Sequence, residues 1–334
     1  MILRGTAGKQ VAATPYGGAR PLWTGPACFL CISTQPPCQT VFFSETRMSQ
    51  RLFFISLPSL KISEMRKFNS LKLILLTSVF VLTLVSCDRF LAHPYYGAHQ
   101  KDHNYNPRNV EKILKNCKEK DTVRFAVISD SHVKYDFLVE AVEDINKRNF
   151  DFVIHCGDGS DFGLLRELMR THNIMNDLKM PYLMVLGNHD CLGTGKETYK
   201  EIYATSDLCF DLKNARIITV NTNCVEYHEQ NNIPDIMFID YLIENPVEKP
   251  VFVAMHGAPW TDSFCSEKET YYAKKLRSLG ENVICMYGHI HEHPMVDDYY
   301  GDGVNYYHVP KTAYKEYISF TVTNEGVEYE AIEF

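Results

Sequence analysis

The amino-acid sequence predicts an α/β fold built around a mostly parallel β-sheet. Short apolar, β-rich runs alternate with segments of helical period, and the runs at 123–129 and 152–156 lie roughly thirty residues apart, the spacing of a βαβ unit. Polar side chains follow the ends of several of these runs, where open α/β sheets hold their binding sites. These observations indicate an α/β domain that accounts for most of the 334 residues.

The predicted elements follow one another from residue 107 onward. Pro107 occupies a first helical position, and apolar residues recur on one helix face up to Cys117, so a short amphipathic helix precedes the first strand. The tail, from 318 to 331, alternates apolar and polar residues around a turn, which predicts an antiparallel hairpin with one solvent-exposed face. Between these ends, strands are predicted at 182–186, 215–220, 251–255 and 283–286, and helices at 137–148, 164–178, 235–244 and 267–278.

Upstream of this body, residues 65–87 have the pattern of a secretory signal. Three cations lie within 65–72, and an uncharged, mostly apolar run follows over 73–86, too short to span a bilayer comfortably. The run ends in LVSC, which resembles the lipobox of bacterial lipoproteins. We therefore expect lipidation of Cys87 to anchor the protein in the cell envelope, facing the periplasm or the cell surface. An uncleaved membrane helix or a plain secretion signal is the alternative.

The remaining N-terminal segments are not expected to belong to the folded domain. Because a signal peptide acts only near the N-terminus, our hypothesis is that Met65 is the true start and that 1–64 form a non-native or disordered extension. Residues 88–106 show no clear period and predict a tether, which leaves 107–334 as the domain.

The charge of the body disfavours one class of partner. Residues 1–87 hold nine of the 34 Lys and Arg residues and two of the 41 Asp and Glu residues. The body therefore keeps 25 basic and 39 acidic side chains, a formal charge of −14. Such a surface repels polyanions at long range, which argues against a nucleic-acid partner and a nonspecific nuclease.

The body also contains seven cysteines. An oxidising envelope would permit disulfides. Because the number is odd, at least one cysteine must be free or paired outside the chain.

A set of potential metal ligands follows the predicted strands. Loops at the carboxyl ends of such strands converge on one crevice, so residues distant in sequence can meet there. The set offers two carboxylates, four imidazoles and one amide, a donor set that suits Mn, Fe, Ni or Zn, and the lack of thiolates argues against a structural zinc site. Its members are Asp130, His132, Asp158, Asn188, His256, His289 and His291.

These residues fall into five motifs that occur in a fixed order. The motifs are Asp-x-His at 130–132, Gly-Asp-x-x-Asp at 157–161, Gly-Asn-His-Asp at 187–190, a lone histidine at 256, and Gly-His-x-His at 288–291. In this order they resemble the calcineurin-like metallophosphoesterase family. The resemblance spans about residues 123–292 and implies a four-layer αββα sandwich of two mixed β-sheets.

The resemblance also implies an activity, that of a dinuclear-metal-dependent hydrolase of small phosphate esters. Two divalent or trivalent ions would polarise the phosphoryl group and generate a metal-bridged hydroxide as nucleophile. His189 would protonate the leaving oxygen, and Asp161 could orient His189. By position, one ion would be held by Asp130, His132 and His291, and the other by Asn188, His256 and His289, with Asp158 bridging the two.

Individual residues also have structural interpretations. A single histidine after an apolar strand is more often structural, so only the ordered set makes His256 a ligand. Asp161 could instead cap a helix that starts near Phe162. We expect structural roles for Asp190 and His155.

Three residues outside the motifs lie near the predicted crevice. His293 and His308 match no position of the family, and we interpret them as loop or surface histidines. Trp260 could wall a substrate pocket, although core packing explains it equally well.

Two other functions are compatible with these residues. A cyclic-nucleotide or other phosphodiesterase would use the same centre. In another class, a non-catalytic scaffold lipoprotein would retain a metal-binding surface without turnover. The sequence contains no substrate-recognition motif and leaves the oligomeric state open.

Overall fold

The computed structural model describes residues 77–78, 103–227 and 232–334. The predictions for the extension at 1–64, for lipidation of Cys87 and for most of the tether lie outside the described residues. Contacts divide the chain into Met1–Lys67 and Phe68–Phe334, and everything described below belongs to the second unit. Within the described ranges, no helix combines the length and apolar character needed to cross a bilayer.

Six α-helices and eleven strands make up residues 103–227 and 232–334. The helices are α1 (Tyr105–Cys117), α2 (Tyr135–Ile145), α3 (Leu165–Met175), α4 (Gly195–Tyr203), α5 (Ile236–Glu244) and α6 (Glu269–Arg277). The strands are β1 (Val123–Ile128), β2 (Phe152–His155), β3 (Tyr182–Met184), β4 (Leu208–Asp211), β5 (Arg216–Thr219), β6 (Val251–Ala254), β7 (Val283–Tyr287), β8 (Met295–Asp297), β9 (Asn305–His308), β10 (Glu316–Val322) and β11 (Val327–Glu333). Short 3-10 turns occupy His189–Cys191, Ser266–Lys268 and Thr312–Tyr314.

The strands form two mixed sheets. The first has the order β11-β10-β1-β2-β3, with β1, β2 and β3 parallel and the C-terminal hairpin antiparallel. The second has the order β4-β5-β6-β7-β9-β8, with β5, β6, β7 and β9 parallel and β4 and β8 antiparallel at the edges. The sheets are thus mixed because antiparallel strands flank each parallel centre.

Three apolar layers hold the two sheets and the helices together. Between the sheets, Phe125 stacks on Phe152 at 4.8 Å and meets Phe252 of the other sheet edge to face at 5.2 Å. Helices α2, α3 and α4 cover the outer face of the first sheet, and α5 and α6 cover that of the second. This arrangement confirms the predicted four-layer αββα sandwich.

Helix α1 closes one side of the sandwich. Its Ile113 and Cys117 are fully buried in the layer between the sheets. On its other face, the Asn106 amide donates to the carbonyl oxygen of Met184 at 2.8 Å and accepts from the Met184 amide nitrogen at 3.0 Å. Strand β3 is the edge of its sheet, so these side-chain bonds satisfy backbone groups that would otherwise be exposed.

Several predicted elements differ from the structure. Helix α1 begins at Tyr105, two residues before Pro107, which the first helical turn tolerates because its nitrogen would have no helical partner. The hairpin prediction is correct in pairing, but β10 is buried on both faces, since Ile318 and Phe320 pack between the sheets and Tyr317 packs under the outer helices. Helix α4 and strands β4, β8 and β9 were not predicted, because they are short and lack a sustained apolar period.

One disulfide joins two loops that leave neighbouring strands. Cys224 follows β5, and its partner Cys265 follows β6 at a Cα–Cα distance of 5.8 Å. The other five cysteines of the described residues are free, so the odd number does leave unpaired thiols.

Candidate metal centre

The predicted ligands meet at the edge where the parallel strands of both sheets end. Strands β1, β2 and β3 of the first sheet lead to Asp130, Asp158 and Asn188, whereas β6 and β7 of the second sheet lead to His256 and His289. Backbone contacts join the two sets, since the amide nitrogen of His289 donates to Asp130 Oδ2 at 3.0 Å. The site is therefore built across the two layers of the sandwich.

One group of ligand atoms surrounds a common point. His132 Nε2 and His291 Nε2 lie 3.2 Å apart, and His291 Nε2 lies 3.2 Å from Asp130 Oδ1. Two ligands at right angles around an ion with bonds of about 2.1 Å would be about 3 Å apart. These three side chains thus have the separation that a single cation requires.

A second group lies directly beside the first. Asn188 Oδ1 is 2.8 Å from His256 Nε2 and 3.1 Å from His289 Nδ1. The Asp158 carboxylate faces both groups, with its Oδ2 3.3 Å from His256 Nε2 and 3.9 Å from His132 Nε2. Its position between the groups is the one that a bridging ligand would need.

The outer nitrogens of three imidazoles lie close to acceptors. His256 Nδ1 lies 2.8 Å from the carbonyl oxygen of Cys156, and His289 Nε2 lies 2.6 Å from Asp262 Oδ1. His132 Nδ1 lies 3.0 Å from Asp161 Oδ1, close enough for an ion pair although not aligned as a hydrogen bond. An acceptor on one ring nitrogen retains the proton there and leaves the lone pair of the other free for a metal.

The two carboxylates are buried and ionised. Burial alone would raise the pKa of Asp130, but the His291 hydrogen bond and the His256 charge outweigh it, so the pKa lies below its ordinary value. Burial is likewise outweighed at Asp158, where His256 lowers the pKa. The same carboxylates raise the pKa of His256 to about 10 against the opposing effect of burial. Two anions among imidazole and amide donors form a site that fits cations.

The backbone at the ligands adopts an uncommon conformation. Five of the seven ligands have φ between +47° and +72°, a left-handed region that non-glycine residues seldom occupy. Glycines permit the close approach of neighbouring loops: a Cβ at Gly187 would collide with the Asp158 carboxylate, and one at Gly288 with the Asp130 carboxylate. Such concentrated strain is typical of functional sites. The five ligands are Asp130, His132, Asp158, His289 and His291.

His189 stands at the rim of the centre. Its Nδ1 lies 2.8 Å from the carbonyl oxygen of Asp161, so the proton resides on Nδ1 and Nε2 remains free for a ligand. The contact predicted between Asp161 and His189 is thus made by the main chain, and the Asp161 carboxylate faces His132 instead. The alternative role of Asp161 as a helix cap is wrong, because α3 begins only at Leu165.

Two buried side chains support the ligand loops from below. Asp190 accepts from the amide nitrogen of Ser160 at 2.9 Å and from that of Gly187 at 3.1 Å, which ties two ligand loops together. His155 accepts from the Gly157 amide nitrogen through Nδ1 at 3.2 Å, and its Nε2 lies 2.9 Å from Ser131 Oγ. Both contacts are those of structural residues.

Other residues near the centre differ from expectation. His308 is buried at the end of β9, so its interpretation as a loop or surface histidine is wrong, whereas His293 is exposed and pairs with Glu316. Trp260 stacks on Tyr299 at 3.9 Å, in agreement with the packing interpretation. Sequence reasoning missed Asp262, which had no signal beyond its position in the loop after His256.

Comparisons with known proteins bear on the family and the fold. The model of the calcineurin-like phosphoesterase family matches residues 123–293, just over half of the chain. A dimetal phosphatase from Danio rerio is similar over 64% of this chain and 99% of its own, at 12% identity and a TM-score of 0.49. GAP50, the anchor in the inner membrane complex of Plasmodium, is similar over 64% of this chain and 85% of its own, at 14% identity and a TM-score of 0.51. No curated protein sequence matches.

Proposed function

Because the chain belongs to the calcineurin-like phosphoesterase family and is a metal-dependent phosphoesterase, we propose that it hydrolyses small phosphate esters at a dinuclear centre in the cell envelope. The observation that carries this proposal is the pair of adjacent ligand groups, with Asp158 facing both. None of the seven expected ligands is displaced from the site.

The seven ligands form two sets, one for each ion. Asp130, His132 and His291 would hold one ion, Asn188, His256 and His289 the other, and Asp158 both. The chemistry that two such ions supply, among Mn, Fe, Zn or Ni, is Lewis-acid polarisation of a phosphoryl group and acidification of water. The ordered outer nitrogens of the imidazoles keep the ligand atoms directed at the ions before binding.

His189 is placed to move a proton. In hydrolysis the bond from phosphorus to the ester oxygen breaks, a bond from phosphorus to the oxygen of water forms, and the departing oxygen takes up a proton. The carbonyl oxygen of Asp161 accepts from His189 Nδ1–H, so the ring, once protonated on Nε2 as well, would donate that second proton to the departing ester oxygen. His189 is therefore the proposed general acid.

The proposed location in the envelope is supported by two features of the chain. Residues 65–87 have the pattern of a lipoprotein signal with Cys87 as the lipidated residue. The disulfide between Cys224 and Cys265 is of a kind that persists in oxidising compartments. The acidic body disfavours nucleic acid as substrate, so small esters are the proposed substrates.

The proposal is tested with purified protein loaded with Mn or Fe. We expect hydrolysis of p-nitrophenyl phosphate or of its bis ester, and loss of that activity together with metal in Asp158→Asn. Asp297→Asn, which changes an exposed carboxylate on β8, serves as control and should behave as wild type. Unchanged turnover in Asp158→Asn would contradict the proposal.

Assays on the same metal-loaded protein distinguish the alternative functions. A scaffold without turnover would bind metal yet hydrolyse neither compound nor any member of a panel of phosphomonoesters and cyclic nucleotides. A phosphodiesterase would prefer the bis ester and the cyclic nucleotides. The complete ligand set argues against a scaffold that has lost its centre.

A further inference from the structure

A groove of about 960 Å³ opens beside the metal centre, between the start of α2 and the exposed face of α3. Its volume lies in the range of small-molecule binding sites. The residues that matter for its chemistry are Val133, Tyr135, Asp161, Phe162, Arg166 and Arg170. None of them is a metal ligand.

One residue connects the groove to the reaction site. Asp161 forms part of the groove wall, and it contacts the centre with both of its polar parts. Its carboxylate lies 3.0 Å from His132 Nδ1, and its carbonyl oxygen lies 2.8 Å from His189 Nδ1. A residue of the groove wall thus contacts the proposed general acid directly. The groove therefore adjoins the ligand His132 as well as His189, and a portion of the ester that extends past the phosphoryl group on this side would enter it.

The groove offers aromatic surface. The Phe162 side chain is 62% exposed, so most of its ring is open to a ligand. On the opposite side, the guanidinium of Arg170 lies 5.8 Å above the ring of Tyr135. Aromatic rings that remain open to solvent in a concave site bind flat, apolar ligand parts well.

The groove also offers positive charge. Arg166 and Arg170 are one turn apart on α3, both are exposed, and neither forms an ion pair with any described residue. Glu167 also lines the groove, but it is buried and accepts the Phe162 amide hydrogen at 2.9 Å. Without ion-pair partners among the described residues, both guanidinium groups remain available to an anionic ligand. Guanidinium forks are suited to carboxylate and phosphate.

From this geometry we propose that the groove binds the leaving portion of the substrate, and that this portion carries an aromatic or apolar part and a second anionic group. The inference rests on the proposed hydrolase function and specifies its substrate class. Phe162 and Tyr135 contact the apolar part, and Arg166 and Arg170 contact the anion. Because neither arginine is a metal ligand, we assign both to substrate specificity.

The test compares two matched pairs of aryl phosphates with the Mn-loaded enzyme. The first pair is phenyl and 4-carboxyphenyl phosphate, and the second is 2-naphthyl and 6-carboxy-2-naphthyl phosphate. Substitution of both arginines, Arg166→Gln with Arg170→Gln, should reduce kcat/KM for the carboxylated member of at least one pair about tenfold, relative to the uncharged member. Lys274→Gln with Arg277→Gln removes the same charge from the exposed face of α6 and is the control.

The intrinsic reactivity of each aryl phosphate cancels, because wild type and variant are compared on the same substrate. An unchanged ratio in both pairs, or an equal loss for all four compounds, would overturn the proposal. Hydrolysis of phenyl phosphate by wild type shows independently that the hydrolase function holds. If no compound is hydrolysed, equilibrium binding of the naphthyl pair to metal-loaded His189→Ala decides the matter. Binding of the carboxylated compound should then weaken about tenfold in the double variant, and equal affinity would refute the role of the groove.

Discussion

Removal of the Asp262 side chain should weaken one of the two metal sites and spare the other. Asp262 Oδ1 lies 2.6 Å from His289 Nε2, on the side of the ring opposite Nδ1, which faces Asn188. Without this acceptor, His289 loses the contact that retains its proton on Nε2 and fixes the ring plane. The pKa of Asp262 lies below its ordinary value because of the His289 hydrogen bond, so the carboxylate is ionised and the contact is charge-assisted.

The expected loss of metal affinity follows from how exposed Asp262 is. Loss of such an outer contact typically costs about 10–100-fold in metal affinity. The Asp262 side chain is 94% exposed, and solvent screens an exposed charge, so we expect the lower end, about tenfold, in Asp262→Ala. Asp262→Asn retains an acceptor and should lose less. The first ion should be unaffected, because Asp130, His132 and His291 do not contact Asp262.

Metal affinity is measured by competition with a chelator, which resolves the two ions from each other. Asp297→Ala removes an exposed carboxylate from β8 and serves as the matched control. Equal affinity for both ions in Asp262→Ala and wild type would refute this role of Asp262. A parallel loss at both ions would instead indicate general damage to the loop.

Two further predictions concern histidines near the centre. His189→Gln should lower kcat by about 10²–10⁴ for phenyl phosphate and much less for p-nitrophenyl phosphate, whose leaving group needs no proton; an equal loss on both substrates would contradict its role as an acid. Burial lowers the pKa of His155 to about 4, whereas the pKa of a histidine in the unfolded chain is about 6.5. Acidification from pH 6.5 to 4 therefore protonates the unfolded state first, which lowers the free energy of unfolding. Urea unfolding of the metal-free protein should show this loss, about 3 kcal/mol, in wild type and in the exposed control His293→Gln but not in His155→Gln. Identical dependence of the unfolding free energy on pH in all three proteins would exclude the effect.

The sequence predicts most ligands of the centre because each one directly follows a strand. Short exits from parallel strands leave little freedom, so Asp130, Asp158 and Asn188 had to lie at one edge of a sheet. The division into two sheets could not be read from periodicity, since both faces of β1, β2, β6 and β7 are buried and their residues, except Arg124 and His155, are apolar. Only the family resemblance indicated a sandwich.

Other features of the site depend on contacts that no local pattern encodes. Asp262 reaches His289 from a loop of polar residues in which nothing distinguishes it from Thr261 or Ser263. His308 is buried in a four-residue strand that pairs with β7, where its ring lies 5.3 Å from that of Tyr287. The backbone of the loop directs the carbonyl oxygen of Asp161 toward His189, and the Asp161 carboxylate then faces His132. Side-chain chemistry alone does not determine this backbone conformation.

The construction of the centre across both layers has a consequence for the lifetime of the protein. A cation held by Asp130 of one sheet and His291 of the other would act as a removable cross-link over a span of 161 residues. Ligands that bind only the native state raise the free energy of unfolding, by about 2.7 kcal/mol at a hundredfold excess over the dissociation constant. Scarcity of the ions would therefore deplete the folded population as well as slow turnover, and the supply of metal would govern how long each molecule survives proteolysis.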